Sequence, residues 1–489
     1  MNITSEKILD IITAFDSEKD YFKLLNVILT KMMEISDADA GTLYILEDGR
    51  LHFKIIRNIT LDIFQSEEDK INLPPITLDE NNIVNVCAYS AIKNEIVMID
   101  DVYENGEFNF SGPKRYDEIT GYRTQSMLVM PLTASDNGIV KIIGVIQLIN
   151  SADKETGGIK PFDNIYEPPV LPSLANISAN ALANLLHSRE IKELFNSFVK
   201  VMTKAIDERS PYNVNHTNNV AMYAERFCYY LNSRFPAGHE LYFSENRREQ
   251  LVMAGLLHDI GKIITPLEIM DKPDRLGARL DIIGYKFELK RCQLEIELLK
   301  NIISQAEYNN YINELDTSLE LIKSVNTAGF LSDDLLARVK LLEKIKYFNE
   351  NQEPEAILTP SDMEALTTRK GTLTKDEYKI MQEHASVTSR LLGEMAFNEY
   401  YKNVRSWAES HHEFLDGTGY PKGLAGSDVT VEMCILTILD IYDALTANDR
   451  PYKKAVPAEK ALEILKSMAD EGKLHGELTR LFNESNVWR

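Results

Sequence analysis

The sequence predicts a multidomain chain: an α+β domain first, one long connecting helix, then an all-α domain interrupted by a helical insertion. Three observations carry that expectation. From about Asp20 to Asn150, apolar residues alternate between strand-like and helix-like spacing. From Leu171 to Asp207 one apolar stripe runs with few breaks, and beyond it histidines and aspartates recur inside helix-like segments. At 489 residues the chain exceeds one ordinary core and has room for about two to four domains.

Tyr21 to Ile35 repeats apolar residues at three and four spacing and reads as a helix. AGTLYILEDGRLHFKIIRN reads as a hairpin turning around Glu47 to Arg50, and MLVMPLTASDNGIVKIIGVIQLIN as a second around Ser135 to Gly138. In the connecting segment, Leu174, Ile177, Ala181, Leu185, Ile191, Leu194, Phe198 and Val201 form one stripe. That stripe predicts a parallel helix pairing two copies of the chain into a homodimer; the alternative is a helix packed on its own domain. Between Arg275 and Ala365, LDIIGYKFELKRCQLEIELLKNIISQ, YINELDTSLELIKSV and SDDLLARVKLLEKIKYF read as three helical pieces, the last opening on Ser332 as N-cap. The expected boundaries are residues 1–170 for the first domain, 171–207 for the connecting helix, 193–489 for the second domain and 275–365 for the insertion.

With 44% hydrophobic and 26% charged residues the composition is globular, and no apolar run approaches the roughly 18 residues that cross a bilayer. The N-terminal stretch MNITSEKILDIITAFDSEKD is amphipathic and acidic, unlike a signal peptide. Cys87, Cys228, Cys292 and Cys434 lie far apart and form no CxxC pair, which fits a reducing compartment, and the cytoplasm is the expected location. A net charge of -22 disfavours nucleic acid and anionic lipid as partners. A small phosphorylated ligand would need local cations to overcome that field.

Residues of ligand type gather in five segments: SPYNVNHTNNVAMYAERF with His216, MAGLLHDIGKI with His258 and Asp259, KIMQEHASVTSRLL with His384, HHEFLDGTGYPKGL with His411 and His412, and ILTILDIYDALTANDRPYKKA with Asp440. Imidazole and carboxylate donors without thiolate suit Fe, Mn or Zn. An aspartate next to a histidine can bridge two ions, and such pairs run in-line displacements at phosphorus. Asp440 and Asp443 fall one turn apart on one helix face.

Two family resemblances follow from these motifs. Ala38 to Leu46, Asp100-Asp101-Val102, Ser126 to Leu132 and Gly144 to Asn150 resemble a GAF domain. FNFSGPKRYDEITGYR further resembles the stretch carried by cyclic-nucleotide-type GAF domains, with Lys114, Asp117 and Glu118 in matching places. The resemblance implies either a small-molecule ligand there or structural support, the Lys and Asp often forming an internal ion pair. His258-Asp259-Ile260-Gly261-Lys262, His411-His412-Glu413, Asp416-Gly417-Thr418-Gly419-Tyr420-Pro421, Asp440 and Arg450-Pro451-Tyr452 resemble the HD-GYP branch of the HD superfamily of metal-dependent phosphohydrolases.

That second resemblance implies hydrolysis of cyclic di-GMP to pGpG, often on to GMP, by hydroxide that a binuclear Fe or Mn centre activates. His216, His258, Asp259 and Asp440 would hold one ion, and Asp259 would bridge to a second held by His384, His411 and His412. Lys262 would approach a phosphate oxygen, Arg450 and Lys453 would grip substrate phosphate, and Gly419, Tyr420 and Pro421 would wall the site. Tyr212 stands where some members carry a glutamate for a third metal, which favours two ions here, with Asp207 or Glu208 as the substitutes that could reach in. Asn215 replaces the usual Gly before the first histidine. Two other readings stay open: a metal-bound receptor or scaffold with little turnover, and a hydrolase of another cyclic dinucleotide or phosphoester, since metals and cations see phosphate alone.

Overall fold

The computed structural model describes the chain except for residues 1–4, 68–70, 72, 80, 137, 154–155, 163–168, 210–214, 398 and 448–454. It divides into two compact units, Met1–Phe195 and Asn196–Arg489.

The first unit is built on one antiparallel sheet. Its strands are β1 (Ala38–Glu47), β2 (Arg50–Asn58), β3 (Ile63–Ser66), β4 (Ile76–Thr77), β5 (Val97–Ile99), β6 (Met127–Asp136), β7 (Ile139–Ala152) and β8 (Ile159–Lys160). They run in the order β3-β2-β1-β7-β6-β5, with β4 beside β2 and β8 beside β7. Both expected hairpins are present: Glu47 pairs with Arg50, and Asp136 with Ile139. The strands read as nearly continuous apolar runs because both faces are covered, and side-chain alternation sorts each run in two. Leu43, Ile45, Leu128, Met130, Ile146 and Leu148 face α1 (Ser5–Ser17), α2 (Tyr21–Ser36) and the start of α5 (Val170–Asp207). Their neighbours Tyr44, Met127, Val129 and Val145 join Cys87 of α3 (Val86–Lys93) and Phe110, which leads into α4 (Ser111–Thr120), on the opposite face.

The long stripe on α5 splits in two. Leu174, Ala175, Ala179 and Leu182 are buried in the first unit's core, and Ile177, Ala181 and Leu185 pack against it. Ile191, Leu194, Phe198 and Val201, on the same helix, are exposed. One part of the stripe is therefore core and the other is outward-facing.

The second unit contains α6 (His216–Arg234), α7 (Glu245–Leu257), α8 (Leu267–Met270), α9 (Arg279–Leu299), α10 (Gln305–Thr327), α11 (Asp333–Leu341), α12 (Pro360–Leu366), α13 (Lys375–Gly393), α14 (Val404–Glu409), α15 (Val431–Thr446), α16 (Ala458–Asp470) and α17 (Gly476–Ser485), with a hairpin of β9 (Lys346–Phe348) and β10 (Pro354–Ala356). Helices α9 to α12 and the hairpin build an apolar cluster of their own around Phe287, Leu294, Ile322, Val325 and Ile357. Arg275 closes its base: the guanidinium is fully buried, with no carboxylate against it among the described residues, and donates to the carbonyls of Val325, Ala328 and Thr368. Ser332 caps α11 by accepting from Leu335 N–H, as expected. The third helical piece is shorter than its periodicity suggests. It ends in a 3-10 turn at Leu342–Lys344, and Lys346–Phe348 pairs with Pro354–Ala356, because strand partners beyond the segment outweigh its local helical pattern. Among the described residues, no helix is long and apolar enough to cross a membrane.

Candidate metal centre

Five histidines and two aspartates converge from distant parts of the chain. His216 opens α6, His258 caps the C-terminus of α7, His384 lies on α13, and Asp440 lies on α15. His411 and His412 sit in the turn just beyond α14 rather than within a helix, so two consecutive side chains can reach one point.

Three of the imidazoles are oriented by one local device. Nδ1 of His258, His384 and His411 lies 2.7, 2.6 and 2.6 Å from the carbonyl oxygen of Gly255, Met381 and Ala408 respectively, each three residues back. A carbonyl only accepts, so each Nδ1 carries the proton and each Nε2 presents a lone pair. His216 is oriented by a carboxylate instead. Its Nδ1 is 2.7 Å from Oδ2 of Asp443, whose Oδ1 accepts from Asn219 Nδ2 at 2.9 Å.

The free Nε2 atoms meet in two places. His216 and His258 approach to 3.3 Å, and His384 and His411 to 3.4 Å. The second pair cannot be a hydrogen bond between neutral rings, since both Nδ1 atoms hold the protons. Two nitrogens each about 2.1 Å from a shared cation at ordinary angles lie roughly 3.0–3.4 Å apart, which is the spacing found. Asp440 Oδ1 lies 3.1 Å from His216 Nε2 and completes the first set, while His412 completes the second.

Asp259 stands between them. Its Oδ2 is 3.2 Å from His258 Nε2 and 3.5 Å from His216 Nε2, and its Oδ1 is 3.5 Å from His384 Nε2 and 3.8 Å from His411 Nε2. That Oδ1 is buried and, among the described residues, has no hydrogen-bond partner. A buried, unsatisfied carboxylate oxygen aimed at imidazole lone pairs is costly unless a cation lies between them. The donor set therefore fits divalent metal.

The electrostatics agree. Burial pushes His384 and His411 below the ordinary histidine range and His412 down to about 3, so these rings are neutral, as ligands must be. Burial opposes the charge on Asp259 and Asp440 too, but Lys262 and the histidines around Asp259, and the histidines around Asp440, outweigh it and hold both carboxylates ionised. Burial likewise opposes charge on His216, yet Asp259, Asp440 and Asp443 together raise it well above its usual value. Those three carboxylates call for a positive charge at this point.

Close backbone approach holds the constellation together. A Cβ on Gly261 would lie 2.0 Å from the His384 carbonyl oxygen and 2.7 Å from Thr388 N, so only glycine lets the turn after Asp259 seat against α13. Thr388 Oγ1 fastens that seat, accepting from Gly261 N–H at 3.0 Å and donating to the His258 carbonyl at 2.9 Å. Gly419 is equally confined, with Glu413 Cα and Phe414 N both 2.5 Å from where its Cβ would be. Buried Glu413 accepts from the backbone N–H of Lys422 at 2.7 Å and of Leu424 at 2.9 Å, which folds the loop onto the paired histidines. Tyr420 then lies over His412, ring centroids 4.6 Å apart, and its bond to Pro421 is cis.

A family model described as GAF domain matches residues 21–167, and two described as HD domain match residues 213–327 and 356–478. The chain carries a GAF domain followed by an HD domain. Curated relatives include 3'3'-cGAMP-specific phosphodiesterase 3 of Vibrio cholerae, 40% identical over 21% of this chain and 21% of that protein. The cyclic di-GMP phosphodiesterase response regulator RpfG of Xanthomonas campestris is 29% identical over 37% of this chain and 45% of its own length. A longer match, to 3'3'-cGAMP-specific phosphodiesterase 2 of Vibrio cholerae, is 26% identical over 63% of this chain and 60% of that protein. The chain thus spans less than half the length of the first two relatives.

In the HD domain the seven residues expected as ligands, His216, His258, Asp259, His384, His411, His412 and Asp440, come together. Lys262 lies beside the shared carboxylate, its ammonium 2.6 Å from Asp259 Oδ2. Arg450, Lys453 and Tyr212 lie outside the described residues, and Glu208 is exposed beside an ion-pairing Lys204. Sequence reasoning assigned no part to Asp443, Asn219, Thr388 or Glu413. The three-residue spacing of Asp440 and Asp443, and the acid directly after the paired histidines, were the available signals. In the GAF domain Asp117 does not pair with Lys114. Its carboxylate accepts from Tyr103 Oη, Thr124 N and Thr124 Oγ1, while Lys114 lies 5.1 Å from the Tyr103 ring centroid and Glu118 is exposed. Asp117 thus ties α4 to the start of β6.

Proposed function

We propose that this protein is a metal-dependent phosphodiesterase that hydrolyses cyclic di-GMP to pGpG, to GMP, or to both, under the control of its GAF domain. The observation that carries the reading is Asp259, whose two oxygens face two separate sets of imidazole nitrogens. His216, His258 and Asp440 would hold one ion and His384, His411 and His412 the other, with Asp259 shared. Nitrogen and oxygen donors without thiolate suit Fe or Mn, the metals that the resemblance to HD-GYP phosphohydrolases implies. Such ions supply a low-pKa water and offset charge on the phosphoryl oxygens.

The chain's own residues prepare that chemistry. The carbonyl contacts of His258, His384 and His411 fix each ring before any ligand binds, so no reorientation is needed. Among the described residues Lys262 is the cation nearest the shared carboxylate, and it can turn from Asp259 to a substrate phosphate oxygen, since both are anionic acceptors. Tyr420 and Pro421, pinned through Glu413, present a flat apolar wall beside His412 on which a nucleobase can lie. Arg450 and Lys453 are the candidates for the remaining phosphate contacts.

A second substrate has specific support. Relatives matching the HD domain are named as specific for 3'3'-cGAMP, one of them 40% identical in the matched region. Both dinucleotides carry the same phosphodiester, so the base-facing wall rather than the metal ligands separates them. The exposed part of the α5 stripe, Ile191, Leu194, Phe198 and Val201, supports a homodimer through the connecting helix, and the GAF domain a small-molecule ligand.

The test is anaerobic purification with metal analysis, and turnover of both dinucleotides by the same sample. About two Fe or Mn per chain, with linear product, supports the reading. Asp259→Ala should lose metal and at least about a hundredfold in rate. Full loading without product from either substrate would instead indicate a receptor, and absence of tightly held metal would overturn the centre.

A further inference from the structure

Helix α9 is apolar on two faces, and among the described residues only one of them has a partner. Ile283, Phe287 and Leu294 are buried against α10 and its neighbours. Ile282, Tyr285, Leu289, Cys292, Ile296 and Leu299 recur at alternating three- and four-residue steps on the other side, and all six are exposed, Tyr285 by 76% and Leu299 by 75%. The adjacent α10 shows what an ordinary solvated face of this bundle looks like: Asn310, Glu314, Thr317 and Glu320 point outward.

We propose that the outward seam of α9 docks against the same helix of a second copy of this chain, the two packed in parallel. The spacing is the 3.5-residue repeat that keeps a seam facing its partner, sustained across the 21 residues of α9, about 31 Å of helix. The charges beside the seam choose the occupant and its direction. Asp281, Glu288 and Glu295 line one flank; on the other, Lys286 pairs with Glu355 and Gln293 bonds the backbone of Phe348, which leaves Lys300 facing outward. In a parallel pair Glu295 faces Lys300 of the second copy, whereas an antiparallel pair sets the acidic flanks against each other. The exposed apolar area is roughly 600 Å² per copy, so a pair covers about 1,200 Å², above the level at which specific interfaces begin.

Cys292 supplies the readout, since the seam brings it beside its equivalent and Cys87, Cys228 and Cys434 are buried. Diamide added to the full chain at low micromolar concentration would take two electrons and two protons from two Cys292 thiols, leaving a disulfide and reduced diamide. The expected result is a reducible band of doubled mass, absent in Cys292→Ser and at least about tenfold weaker in Ile296→Lys. Glu295→Lys should weaken cross-linking, and Glu295→Lys combined with Lys300→Glu should restore it. A dimer by light scattering that does not cross-link, cross-linking indifferent to Ile296→Lys, or no rescue by the charge swap would overturn the proposal. So would protection of α9 from hydrogen exchange in a chain that stays monomeric, which would assign the face to another occupant.

Discussion

Asp443 Oδ2 lies 2.7 Å from Nδ1 of His216, and its other oxygen is held by Asn219. The contact spans 227 residues of sequence and fixes which nitrogen of His216 faces the centre. Asp443→Ala should therefore weaken metal binding by about 10–100-fold while leaving the fold intact. Asp443→Asn keeps an acceptor and should recover part of that loss. Chelator competition followed by metal analysis measures both; equal metal affinity in all three proteins would remove Asp443 from the site.

Gly261 has no room for a methyl group, because the nearest atoms are backbone atoms of α13. Gly261→Ala should cost about 1–3 kcal/mol in stability and shift Asp259 away from the second set of imidazoles. A denaturant melt together with metal stoichiometry reads both effects. An unchanged melt would mean that α13 yields easily.

Glu413 touches none of the ligand nitrogens but holds two backbone amides of the following loop. Glu413→Gln keeps the shape and loses the charge and one acceptor, at about 1–3 kcal/mol if an amide is left unpaired. Metal content should persist while KM rises more than kcat falls. Loss of metal in this variant would show that the loop also supports the paired histidines.

Removal of residues before Leu171 should leave metal binding intact and change the rate or the oligomeric mass. The HD domain's ligands all lie beyond Asp207, whereas the buried part of the α5 stripe would lose its partners. Turnover and light scattering on the shortened chain check this, and unchanged values in both would count against GAF control.

Local pattern made much of this protein legible. The two hairpins, the long helix and the ligand types follow from alternation, three-and-four spacing and the chemistry of imidazole and carboxylate, all properties of neighbouring residues. The Lys346–Phe348 strand was not legible, because its helical pattern is local and its partner strand is not. Nor was the part played by Asp117, whose side chain satisfies Tyr103 and Thr124 across a turn.

Periodicity also places apolar residues on both faces of α9 and along all of α5 without saying which are core. Packing chooses: Phe287 and Leu294 find neighbours on α10, while Tyr285 and Leu299 do not. The same distinction governs the metal centre. Residue identity supplies donors, but whether four Nε2 lone pairs and one unsatisfied carboxylate oxygen meet within a few ångströms depends on α6, α7, α13 and the turn after α14 being brought together. Only the tertiary structure does that, because convergence is a relation between segments and no segment encodes it alone.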